Sequence, residues 1–164
     1  MQGKAQPAFI GGLILGVLSA LPIVNVGNVC CCLWVVSGGV VAAYLLQQNQ
    51  ATPITPGDGA LVGLFAGLIG SLVYLVISIP ISLVLAPIQR EFLQRFLENN
   101  ERMPPELRDL VGSGVGVGIA RIIGFVSMLC VGTVFATLGG LLGSVMFRKP
   151  AAPPGTIEVP PPSP

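Results

Sequence analysis

The stretch GALVGLFAGLIGS, residues 59–71, carries a small residue at every fourth position: Gly59, Gly63, Gly67 and Ser71. Between them stand Leu, Val, Phe, Ile, Ala and one further glycine, Gly70, and no charge. At 3.6 residues per turn, positions four apart lie nearly above one another, so a helix over this stretch has a smooth groove on one side. Apolar helices gain little by hiding from lipid tails. They associate by close packing, which small residues permit.

The same spacing recurs outward along the chain. Gly12, Gly16 and Ala20 form a row in the first apolar run, and Gly38–Ala42 and Gly39–Ala43 form short pairs in the second. Two further rows of four follow: Gly112, Gly116, Ala120, Gly124, then Gly132, Ala136, Gly140, Ser144. Glycine is frequent in membrane helices as such, but three rows of four point to helix packing. Gly12, Gly16, Gly59, Gly63, Gly67, Gly132 and Gly140 are the candidate packing residues. Their partners lie either within one chain or across a homo-oligomer.

The composition sets the surroundings. Of 164 residues, 52% are hydrophobic and 9% charged, against about 25% charged in a soluble domain; the mean hydropathy is +0.84. A net charge of +1 provides no field for nucleic acid. Histidine is absent, which removes the commonest general base and the commonest metal ligand. Nine of the charged residues fall between Arg90 and Asp109, leaving long apolar runs on both sides.

A spanning helix needs about 20 apolar residues. Four spans are expected, at 8–24, 29–46, 60–79 and 122–147. Asn25–Asn28 reads as a tight turn, and 47–58 as a loop in which Asp58 caps the third helix. Pro80 and Pro87 argue for a kinked exit from the third span. Residues 89–110 form a charged connector with an apolar face of Phe92, Leu93, Phe96 and Leu97. Glu91–Arg95 and Glu98–Arg102 are i,i+4 pairs, so an amphipathic interfacial helix is expected there. Residues 150–164 hold seven prolines and read as a disordered tail. Lys4 and the first run resemble a secretory signal, but Leu18-Ser19-Ala20 lacks the small residues cleavage needs, so the run is read as a retained span. Lys4, Arg148 and Lys149 share one side and Arg90, Arg95, Arg102 and Arg108 the other, a division too even to set an orientation.

The candidate chemistry is sparse. GSGVGVG, residues 112–118, fits neither G-x-G-x-x-G nor a Walker loop. Cys30, Cys31 and Cys32 are consecutive, and adjacent helix residues point about 100° apart, so they do not converge on one ion. With Cys130 they offer a disulfide or a soft-metal pair; the plainer reading is helix packing beside Trp34. Arg121 is the sole charge in the last apolar run. It is read either as a contact for an anion or lipid phosphate, or as a side chain reaching from a helix end to the headgroups. No carboxylate lies deep in a span, and no serine has a base beside it. Neither a cofactor nor catalysis is expected.

GGLILGVLSALP (11–22), NVCCCLWVVSGGVVAAYL (28–45) and GDGALVGLFAGLIGSLV (57–73) resemble a loose class of small glycine-rich four-helix membrane proteins of unknown function in bacteria and archaea. The resemblance covers residues 8–80. It implies a prokaryotic plasma (inner) membrane location and brings no substrate, cofactor or catalytic residue. The expected fold is therefore all-α: a bundle of four transmembrane helices with the bilayer as partner. The expected role is non-enzymatic packing or scaffolding, with a small channel or transporter as the rival.

Overall fold

The computed structural model describes residues 2–21, 24, 27–28, 32–99 and 104–150. Pro22, Asn25, Cys30, Cys31, Arg102 and the expected tail from 151 onward lie outside the described residues. The fold is all-α, with five helices among the described residues: α1 (Gln2–Ala20), α2 (Leu33–Gln48), α3 (Pro56–Asn99), α4 (Pro105–Gly112) and α5 (Gly114–Met146). At 1.5 Å per residue, α1 and α2 are about 28 and 24 Å long, α3 about 66 Å and α5 about 50 Å.

Two helices, α3 and α5, are long and apolar enough to cross a membrane, with 18-residue stretches of mean hydropathy 2.4 and 2.1; α2 is a shorter apolar helix. The boundaries depart from the sequence expectation in several places; α1 ends at Ala20 and α2 begins only at Leu33, so Cys32 precedes that helix instead of lying within it. α1 begins at Gln2, because Gln, Lys and Ala are good helix formers and carry the helix through Pro7. α3 runs as one element through both Pro80 and Pro87 and takes in residues 89–99 of the expected separate connector. Each proline removes one backbone donor. The Leu, Ala, Gln, Arg and Glu residues that follow favour helix and include no stop signal before Asn99. α5 begins at Gly114, inside the expected glycine-rich lead-in, because the Ser113 side chain caps it by accepting from Gly116 N–H at 3.1 Å.

Four helices enclose two clusters of buried apolar residues. α1 lies against α2 and α3, and α5 lies against α2 and α3; α2 also touches α3, and α4 packs on α5. Their close approaches fix the directions. Lys4 meets Asp58, Gly12 meets Ala66 and Gly16 meets Gly70, so α1 and α3 run parallel. Gly63 meets Gly140 and Gly67 meets Gly132, so α3 and α5 run antiparallel. Gly139 meets Val36 and Gly143 meets Val40, so α2 and α5 are parallel. The α1–α2 hairpin is thus stacked on the α3–α5 hairpin. The interior holds Leu15, Val35, Ala42, Ala43, Leu46, Val62, Ala66 and Ala136, each 0–1% exposed.

Because α3 and α5 outrun α1 and α2, the molecule has two parts. One end is a packed four-helix section. Beyond it, α3 and α5 continue as a two-helix arm, in which no described residue from 72 to 131 is buried.

Candidate functional site

The first feature is the small-residue seam between α3 and α5. Gly59 faces Ser144 and Gly140, Gly63 faces Gly140 and Ala136, Gly67 faces Ala136 and Gly132, and the Ser71 hydroxyl lies against Gly132. A β-carbon at Gly67 would stand 2.8 Å from the Thr133 Cα, against about 3.5–4.0 Å for ordinary carbon contact. Ser71 shares its hydroxyl hydrogen between the Gly67 carbonyl at 2.8 Å and the Met128 carbonyl at 3.3 Å, which ties the two helices together. Gly12 and Gly16 serve α1 in the same way. β-Carbons there would lie 2.8 and 2.6 Å from the carbonyl oxygens of Ala66 and Gly70. The row Gly112, Gly116, Ala120, Gly124 differs: a β-carbon at Gly112 or Gly124 meets nothing within 4 Å.

The second feature is a polar rim where the start of α1, the α2–α3 loop and the residues just after α5 come together. Thr55 caps α3, with Pro56 in the first turn. Its hydroxyl oxygen accepts from Asp58 N–H at 3.1 Å, and the Asp58 carboxylate accepts from Thr55 N–H at 3.2 Å. This is a reciprocal capping box, so Thr55 is the cap and Asp58 its partner three residues on. The T-x-x-D pattern at 55–58 carried that signal in sequence. Asp58 also pairs with Lys4 at 2.5 Å. The Lys4 hydrogen bond, with help from Thr55, holds the Asp58 carboxyl down at about 2. Buried Gln47 clamps the loop, donating to the Thr52 carbonyl at 3.1 Å and accepting from Ile54 N–H at 2.9 Å. Lys149 donates to the Gln50 carbonyl at 2.8 Å.

At the other end of the α1–α2 hairpin, Trp34 Nε1 donates to the Val24 carbonyl at 2.7 Å, and Asn28 Nδ2 donates to Ser19 Oγ at 2.8 Å. Cys32 stands just before α2 in the left-handed region, with φ 49°. Cys32 and Cys130 are both free thiols, half-buried and exposed respectively. Among the described residues, no three His, Cys, Asp or Glu side chains gather as a metal site.

The third feature is a groove of about 680 Å³ where the packed section gives way to the arm. Ser19 and Ala20 at the end of α1 form its floor. α3 forms one wall, with Tyr74, Ser78, Ser82 and Gln89 among the lining residues; α5 forms the other, with Arg121, Ile123 and Gly124. Tyr74, Ser78 and Ser82 are four apart, so they make a polar stripe up one face of an otherwise apolar helix. Arg121 Nη2 donates to Ser82 Oγ at 2.7 Å, and Ser82 Oγ donates in turn to the Ile79 carbonyl at 2.7 Å. Among the described residues Arg121 makes no ion pair. The Arg121–Ser82 contact joins residues 39 apart on two helices, and only the α3–α5 register makes them neighbours. The chemistry of the groove is that of a cation with hydroxyl and amide groups beside it, above an apolar cleft. It holds no nucleophile with an adjacent base.

No family model matches the chain, and neither a search of curated proteins nor one of solved structures gave a match.

Proposed function

We propose that this chain is an integral membrane protein whose four apolar helices are embedded in a bilayer that α3 and α5 cross in full, and that its role is non-enzymatic: a rigid scaffold closed by small residues. One observation carries the reading, the inverted distribution of side-chain size. Glycine, alanine and serine are buried between helices, while Phe9, Leu61, Phe65, Leu72, Val134, Leu142 and Val145 are 41–67% exposed. Water drives large apolar groups inward, and a soluble monomer rarely exposes a contiguous apolar patch beyond a few hundred Å². A hydrocarbon solvent carries no such drive and rewards close backbone packing instead. A buried core helix of a soluble protein has the opposite character. In the most apolar stretches of α3 and α5, only 11% and 17% of residues are buried.

Lengths support the same reading. From Asp58 to Ser82 the helix axis covers about 36 Å, close to a hydrocarbon layer of about 30 Å plus part of a headgroup layer. The charged rim of Lys4, Asp58 and Lys149 then faces one surface and Arg121 the other.

The experiment is fractionation of cells expressing the chain, followed by alkaline washing of the membranes. The protein is expected to stay with the membrane and to leave it only in detergent. Recovery as a dissolved protein without detergent overturns the proposal. The rival, a small channel or transporter, draws on the polar stripe beside Arg121. Against it stands the packed section, where Leu15, Val62, Ala66 and Ala136 fill the space between helices. Solute flux into liposomes above an empty-vesicle control would favour the rival.

A further inference from the structure

The α1–α2 hairpin stops short of the α3–α5 hairpin, and the groove is the space it leaves. By the parallel register of α1 and α3, Ala20 stands level with Tyr74, about 24 Å along the axis from Asp58, while Ser82 is about 36 Å along it. With the Lys4–Asp58 pair at one edge of a hydrocarbon layer of about 30 Å, the floor of the groove lies inside that layer. Arg121 and Ser82 lie in the headgroup layer beyond. Over the intervening depth, the described residues of α1 and α2 no longer cover α3 and α5.

We propose that the groove binds one phospholipid, with its phosphate on the Arg121 guanidinium and an acyl chain running down the cleft to Ala20. The inference rests on the membrane reading above. Three observations carry it. Arg121 has five N–H donors. One is held by Ser82 and none by a carboxylate among the described residues. No described residue of the groove lining is acidic, so a phosphate meets the Arg121 charge without repulsion from those residues. The volume of about 680 Å³ falls within the range of small-molecule sites, about 300–1,000 Å³. Ser82 is a positioning residue: its hydrogen is committed to the Ile79 carbonyl, so its oxygen is free to accept from Arg121 and aim the guanidinium. An anionic headgroup is favoured, because the site supplies net positive charge.

The test uses the full chain, extracted from membranes in mild detergent and weighed intact with its retained lipids, then titrated with phosphatidylglycerol in mixed micelles. The parent is expected to carry one phospholipid per chain. Arg121→Gln should weaken uptake by roughly tenfold or more, Arg121→Lys by less because it keeps the charge but not the fork, and Ser82→Ala by an intermediate amount. Gly124→Leu fills the cleft from a position with open space around it; it should expel the lipid while helicity and thermal midpoint stay at the parent's values. If Arg121→Gln fails to fold, Gly124→Leu still decides the matter. The proposal is overturned if Gly124→Leu retains lipid like the parent, if inorganic phosphate alone displaces the lipid, or if the isolated species is a dimer without lipid. A membrane-bound parent that carries no lipid removes this site and leaves the membrane reading intact; a soluble parent removes both.

Discussion

α3 is one helix with two characters. From Gly59 to Ser71 it presents Gly59, Val62, Gly63, Ala66, Gly67, Gly70 and Ser71 to its neighbours, all buried. From Leu72 to Asn99 the same helix buries nothing. As far as Ile88, hydropathy does not make the difference, since both stretches are rich in Leu, Ile and Val. The first half has a small residue wherever another helix must come close; the second has Leu83, Val84, Ile88 and Phe92 standing 64–76% exposed. The pattern of small side chains marks where helices touch.

The strongest way to break this comparison is to make one substitution in both regions. Gly63→Leu sets a β-carbon against the Ala136 backbone carbonyl, which cannot rotate away. We expect destabilisation of about 3 kcal/mol or more, read as a collapse of the thermal midpoint in detergent. Gly118→Leu, in the arm, meets nothing within 4 Å and should be neutral or stabilise by up to about 1 kcal/mol through helix propensity. Equal effects at the two positions would remove the distinction.

The rim of the packed section offers finer tests. Thr55→Ala removes the cap of α3 and should cost about 1 kcal/mol, measured by thermal unfolding. Acidification should act through Asp58. Its carboxyl is held at about 2 in the folded chain against an ordinary 3.8, so the Lys4–Asp58 contribution is fully present above about pH 4. It is lost as pH falls from there through about 2. The parent should lose a component of stability in that window that Asp58→Asn lacks. Smallest of all, Glu91→Gln breaks the Arg95–Glu91 pair at 2.6 Å in the arm. Both side chains are well exposed, and the change should stay within about 0.5 kcal/mol.

The sequence made some of this architecture readable and hid the rest for physical reasons. The rows at 59–71 and 132–144 are visible because helical periodicity is local, and both fall on buried faces. That they oppose one another, with Gly63 on Gly140, is a property of the antiparallel register, which no short stretch encodes. The length of α3 was misread because Pro80 and Pro87 argue locally for a break, whereas the good helix formers on both sides decide otherwise. Asp58 was recognisable as a helix-start residue, but the cap is Thr55, three residues earlier. Arg121 stands out as a lone charge; its partner Ser82 has no local sequence signal to set it apart from a serine bonding its own helix, which it also does.

The seam between α3 and α5 has a consequence for synthesis. Gly63 finds Gly140 only after 77 further residues have been made, on the order of 4–15 s at ribosomal speeds. The α1–α2 hairpin, whose Gly11–Gly38 approach joins residues 27 apart, has both sides of its contact available long before then. The contacts within the α1–α2 hairpin can thus form while α3 still waits for α5 to be made.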